Sequence, residues 1–144
     1  MNTIVGKGYV NIRDEKIAAG AITPGMLVER TSADKVQAHS TAGGAANKLF
    51  ALEDENQGND IDDAYAADDV VKLWHPVPGE QVYAIVDDNT GDAIAIGNFL
   101  ESAGDGRLRK ATDITDTTGN QIVGVALEAV GQAAAGSRIL IEIV

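Results

Sequence analysis

Ile22-Thr23-Pro24-Gly25-Met26-Leu27-Val28-Glu29 aligns with Ile94-Ala95-Ile96-Gly97-Asn98-Phe99-Leu100-Glu101, 72 residues further along the chain. At that offset Gly25 falls on Gly97, Glu29 on Glu101 and Val36 on Leu108. Ala51-Leu52-Glu53 recurs as Ala126-Leu127-Glu128, the offset having grown to 75 because the second copy carries a slightly longer loop. A chain of 144 residues suits one compact domain, so the two copies are expected to build equivalent halves of it. A duplicated unit with no reactive residue in either copy reads as a scaffold.

The apolar residues recur with period two or in short runs, which argues for strands over helices. In the first copy the pattern predicts strands at Met26–Arg30, Lys35–His39 and Lys48–Glu53; in the second, at Ile94–Glu101, Arg107–Ala111 and Gln121–Ala129. Val70–Trp74 and Gln81–Val86 add two more, and Arg138–Val144, rich in β-branched residues, closes the chain. Pro24-Gly25, Gly43-Gly44, Pro78-Gly79, Asn89-Thr90-Gly91-Asp92, Gly104-Asp105-Gly106 and Thr118-Gly119-Asn120 fall between them as turns. Helix is scarce; one short helix is expected to begin near Asp60, where acids would occupy a first turn. The fold class is all-β: a small β-barrel or β-tulip-like domain of two similar β-units, with an extended N-terminal arm and an inserted acidic loop and hairpin. The boundaries are an arm at 1–20 and one β-domain at 21–144, with repeat units 21–53 and 93–144 around an insert at 54–92.

Charge narrows the function. Residues 53–92 hold twelve acids against one base, Lys72, and so account for the whole net charge of −11. Such a block repels phosphate backbones, and with aromatic residues at only 4% there is little to stack bases on; nucleic acid is not expected as a partner. The absence of cysteine excludes disulfides, thiol nucleophiles and Cys-based zinc sites. No signal peptide and no run of roughly 20 apolar residues is visible, so the expectation is synthesis in the cytoplasm and no membrane partner.

Candidate chemistry is thin. The run Asp54-Glu55-Asn56-Gln57-Gly58-Asn59-Asp60-Ile61-Asp62-Asp63 invites comparison with a calcium loop, yet an EF-hand counted from Asp54 would need Gly where Asn59 stands and Glu where Tyr65 stands. A solvated acidic loop fits better, and no metal or cofactor is expected. His39, beside Ser40 and Thr41, tempts a Ser/His/Asp reading, but no Gly-x-Ser-x-Gly elbow exists; His75 lies between Trp74 and Pro76, at a strand end. Gly104-Asp105-Gly106 has Arg109 where a third phosphate-loop glycine belongs, and a strand follows it where a helix would be needed. No catalytic residue is assigned.

Two features remain for binding. Trp74 follows Val70, Val71 and Leu73, which favours a place at the centre of the core with its indole N–H on a carbonyl; the other reading is an interface anchor. The arm carries the alternation Tyr9-Val10-Asn11-Ile12-Arg13 and a slight positive charge, suited to adding a strand to a neighbouring chain. Its candidate contacts are Tyr9, Val10, Ile12, Arg13, Lys16 and Ile17.

Taken in order, Ile22–Glu29, Leu49-Phe50-Ala51-Leu52-Glu53-Asp54-Glu55-Asn56-Gln57-Gly58, Tyr65 with Asp68-Asp69-Val70-Val71, Ile122–Val130 and Arg138–Val144 resemble tailed-bacteriophage head decoration (capsid cement) proteins. The similarity spans roughly residues 20–144 and lies in the order and spacing of these runs. The resemblance implies a structural virion protein on the outside of the expanded capsid, with the major capsid protein as partner. It also implies a homotrimer at three-fold and quasi-three-fold positions, bridging neighbouring subunits. A carbohydrate- or calcium-dependent binding module using the acidic insert is the alternative.

Overall fold

The computed structural model describes residues 1–10, 12–86, 93–115, 119–131 and 136–144. The Asn89–Asp92 turn, three of the twelve acids (Asp87, Asp88, Asp92), Asn11 and Thr118 lie outside them. Among the described residues eleven strands run in chain order: β1 Val5–Lys7, β2 Arg13–Ile17, β3 Leu27–Arg30, β4 Val36–Ala38, β5 Leu49–Ala51, β6 Val70–Trp74, β7 Gln81–Ile85, β8 Phe99–Ser102, β9 Leu108–Lys110, β10 Gly124–Ala126 and β11 Arg138–Ile143. They form two antiparallel sheets, one of six strands in the order β1-β7-β11-β10-β8-β9 and one of five in the order β2-β6-β5-β3-β4.

The duplication runs deeper than the repeated words in the sequence. β2-β6-β5-β3-β4 and β7-β11-β10-β8-β9 have the same topology and the same register. Leu27↔Phe50 becomes Phe99↔Val125, Phe50↔Trp74 becomes Val125↔Glu142, and Arg13↔Trp74 becomes Gln81↔Glu142. The isolated bridges repeat too: Ala18↔Val36 as Val86↔Leu108, and Ile22↔Tyr65 as Ile94↔Val130. The units are therefore residues 13–74 and 81–143, each beginning one strand earlier than the sequence repeat shows, and the first also ending one strand later.

This redraws four expectations. The stretch 1–20 is not a free arm: β1 pairs with β7, and all five residues of β2 pair with β6. The stretch 54–92 does not carry its own hairpin, because β6 closes the first unit while β7 opens the second. Neither sheet closes into a barrel; among the described residues one parallel bridge per unit joins the residue after β2 to β4 and the residue after β7 to β9, with no closing ladder. The expected helix near Asp60 is also absent. A 3₁₀ turn, Glu55–Gln57, comes earlier, and the Asp60 and Asp63 carboxylates instead accept the N–H groups of Asp62 and Asp60 as turn caps.

Strand alternation sorts the core into two sets. Val28, Val36, Leu49, Ala51, Val71 and Leu73 fill the interior of the first unit together with Ala18, Ile22 and Tyr65. The Tyr65 hydroxyl donates to Leu52 O at 2.7 Å, and burial pushes its pKa up to about 12. The opposite face of the same strands presents Leu27, Phe50 and Trp74, which join one continuous core with Ile4 and the second unit's Val82, Ala84, Leu100, Ala126, Ile139 and Ile141. The outer face of the first unit thus packs on the inner face of the second. The two units stack head to tail.

Candidate interaction surfaces

The six residues proposed for capsid contact do not share one surface. Alternation along β2 puts Arg13 and Ile17 on one face and Lys16 on the other, where its Nζ meets Asp34 at 2.7 Å. Val10 turns inward and packs on the core, while Tyr9 is 79% exposed and Ile12 is also exposed. Ile17 faces its cross-strand partner Val70, and both are solvent-exposed, forming a small apolar pair at the edge of the first unit. The structure thus brings Ile17 and Val70 together and leaves Tyr9 and Ile12 on the connection ahead of β2.

Trp74 is no interface anchor in this chain. It is fully buried, in register between Arg13 and Phe50, at the centre of the core between the units. Its Nε1 has no hydrogen-bond partner among the described residues, against the expected bond to a carbonyl.

The seam between the units is where polar side chains converge. His39, at the end of β4, sits with Nδ1 2.7 Å from Ser102 Oγ of β8 and Nε2 2.9 Å from Ala45 O. Assigned from those partners, Nε2–H donates to the carbonyl and Nδ1 accepts from the serine hydroxyl. Glu29 lies 3.8 Å from Nε2, so serine, histidine and carboxylate fall in line without any nucleophile elbow in the sequence. Yet Ser102 is completely buried, and its oxygen also accepts Gly104 N–H at 3.1 Å. The cleft of about 240 Å³ beside Glu29 and His39 is lined by Arg30, Ala45, Ala46, Asn47 and Asn120 but not by Ser102. In this geometry the group acts as a clasp between units.

Glu29 and its counterpart Glu101 do matched work on either side of that clasp. Glu29 accepts Gln37 Nε2 at 2.8 Å and Ser40 Oγ at 2.6 Å; Glu101 accepts Arg109 Nε at 2.9 Å and Gln121 Nε2 at 2.7 Å. Burial opposes ionisation of Glu29, but the bonds from Ser40 and Gln37 and the nearby His39 outweigh it and hold the carboxyl below its ordinary value. A second staple comes from Arg138 on β11, whose guanidinium reaches Asp62 Oδ1 at 2.7 Å, Pro24 O at 3.2 Å and Ile61 O. It fixes the acidic loop to the body. Among the described residues no group of three or more His, Asp or Glu is placed to hold a metal ion, and no helix is long and apolar enough to cross a membrane.

Sequence reasoning missed the row on the outer face of the second unit. Phe99 is 49% exposed and Ile96 69%, with half-buried Val125 beside Phe99 in register. The repeat itself held the signal, since it equates Phe99 with the buried Leu27, but only the structure shows that one is covered and the other is not.

No protein-family model matches the chain, and no curated protein matches it. Among solved structures it is similar to the head fiber gp8.5 N base of bacteriophage phi29, with a TM-score of 0.59 at 14% identity, over 92% of this chain and 93% of that one. The shared feature is the fold, carried through nearly the full length of both chains.

Proposed function

We propose that this chain is a structural protein of a bacteriophage head, and within that class a decoration protein bound to the outside of the expanded capsid. The observation that carries the reading is the likeness to the phi29 head fiber base over 92% of the chain. The resemblance of its ordered sequence runs to capsid cement proteins points the same way. The physical logic is multivalent: a homotrimer engaging several major capsid protein subunits sums modest contacts through effective concentration, and sites present only on the mature lattice stabilise that state by mass action.

Deleting residues 1–20 does not test this cleanly, because β1, β2 and buried Ile4 belong to the body. Exposed positions do. Purified protein is mixed with expanded and unexpanded capsids of the cognate phage and sedimented. Saturable binding to expanded shells alone, weakened several-fold by Tyr9→Ala with Ile12→Ser in a protein of unchanged melting temperature, is expected. Failure of the wild-type protein to sediment with expanded shells would sink the decoration reading; undiminished binding of the double variant would move the contact elsewhere.

A further inference from the structure

The seam inside the chain is a template for a contact that its second unit leaves unmade. At the end of the β3–β4 hairpin the strands splay, and the Gly106 peptide of the second unit slots between them. Leu27 N–H donates to Gly106 O at 2.8 Å, and Gly106 N–H donates to His39 O at 3.1 Å. One turn away, Ile85 N–H donates to Gly25 O at 3.1 Å, and a Cβ on Gly25 would meet Tyr83 O at 2.9 Å. Every receiving group has a counterpart 72 residues on: Gly97 for Gly25, Phe99 for Leu27, Ala111 for His39.

Those counterparts are built the same way and, among the described residues, have no partner. Ala111 N–H donates to Phe99 O at 2.9 Å, just as His39 N–H donates to Leu27 O at 3.0 Å. Among the described residues, however, nothing pairs with Phe99 N–H, Ala111 O or Gly97 O. Gly97 keeps the turn of Gly25, with φ of 89° against 92°, yet a Cβ there would have nothing within 4 Å. The slot is flanked by exposed Phe99 and Ile96.

The inserting groups have counterparts in the first unit, Ile17 and Asp34, and the bonds that Asp34 makes are to its own unit: its N–H donates to Thr31 O at 3.2 Å and its carboxylate meets Lys16 at 2.7 Å. Ile17 stands where Ile85 does, 68 residues earlier; its side chain is 36% exposed where that of Ile85 is buried, and alternation turns its N–H away from β6. Asp34 stands where Gly106 does, in the same left-handed backbone at φ 60°. A Cβ on Gly106 would lie 3.0 Å from Ala38 Cβ and 3.1 Å from Met26. The counterparts of Ala38 and Met26 are Lys110 and Asn98, so docking by the same geometry sets the Asp34 carboxylate beside an ammonium and an amide. The changed residues are complementary in charge.

We propose that the outer face of the second unit (Gly97, Phe99, Lys110, Ala111) receives the first unit of a second copy of this chain, Ile17 and the Asp34 turn entering the slot as Ile85 and Gly106 do within the chain. The contact is heterologous, so copies continue the head-to-tail order into a ring or an open filament. The proposal rests on the seam alone and stands whether or not the protein binds a capsid.

Sedimentation velocity of the full chain over a wide concentration range tests it without capsids. Reversible self-association is expected, weakened about tenfold or more by Phe99→Glu. Asp34→Lys or Lys110→Asp alone should weaken it roughly threefold, and the two reversals together should restore it. Phe99→Glu and Lys110→Asp sit at solvent-accessible positions and are expected to keep the wild-type melting temperature; Asp34→Lys gives up the pair with Lys16 and is expected to lower it slightly, so the charge-swap arm is read from the recovery of association in the double variant. A chain that stays monomeric at every concentration, or an association that ignores both the Phe99 variant and the charge swap, would overturn the proposal.

Discussion

Leu27-Phe50-Trp74 and Phe99-Val125-Glu142 are the same row of the same sheet, paired in the same register, with opposite fates. The first row is completely buried against the second unit; the second row faces outward, Phe99 half in solvent. Backbone pairing was duplicated and environment was not, because a head-to-tail stack of two units has one covered outer face and one open one. Side chains record the difference. Where the first unit places Trp at the row's end, the second places Glu, while Phe99 keeps an apolar side chain at the position that Leu27 buries.

The largest break in that comparison is at Trp74. Trp74→Ala empties the centre of the shared core, and denaturant unfolding should show a loss of about 3–5 kcal/mol. Glu142→Ala, at the equivalent register position on a half-buried outer face, should change stability by about 0.5 kcal/mol or less. Comparable losses at the two sites would mean that the outer face of the second unit is as structurally committed as that of the first.

Next in size is the glycine pair. Gly25 and Gly97 share a backbone conformation, so Gly→Ala at either carries the strain of a left-handed residue, about 1 kcal/mol. Only at Gly25 does the new methyl run into another unit, at the Tyr83 carbonyl. Gly25→Ala should therefore cost about 2–4 kcal/mol against about 1 for Gly97→Ala, the difference isolating the seam from the turn. Equal costs in thermal unfolding would show that the seam yields.

The repeat made part of this legible from residues alone. Nearly every expected strand exists, and Val70–Trp74 holds to the residue. The apolar residues of Ile94–Glu101 run together and predict one strand. The structure bends it at Ala95-Ile96-Gly97-Asn98, where Asn98 Oδ1 caps Ala95 N–H at 2.9 Å, and β8 begins at Phe99. Pro24-Gly25 announces the same turn in the first copy, so the alignment held a correction that apolar pattern alone did not. The alternation at Tyr9–Arg13 was visible, but not its partner: β2 pairs with β6, more than fifty residues away, and local sequence carries no mark of a long-range strand partner. The clasp was invisible for the same reason, as His39 and Ser102 meet only because the units stack.

The most specific effect concerns the two glutamates beside the clasp. Glu29 titrates below its ordinary value of 4.5 in the folded protein, its charge held by Ser40, Gln37 and His39 against partial burial. A folded-state pKa lower than the unfolded one gives a contribution that is complete above about pH 4.5 and is lost as pH falls through the folded value. Asp34 and Asp68, held low by Lys16 and Lys35, titrate on the same limb, so the quantity to follow is the difference between wild type and Glu29→Gln. That variant should cost less than about 1 kcal/mol at neutral pH and flatten the fall in stability below pH 4.5. Glu101→Gln should cost more at neutral pH, about 1–3 kcal/mol, because its carboxylate is buried and Arg109 and Gln121 both lose a charged acceptor. A Glu29→Gln protein whose acid limb superimposes on the wild type would place the unfolding charge elsewhere and leave the two glutamates alike only in register.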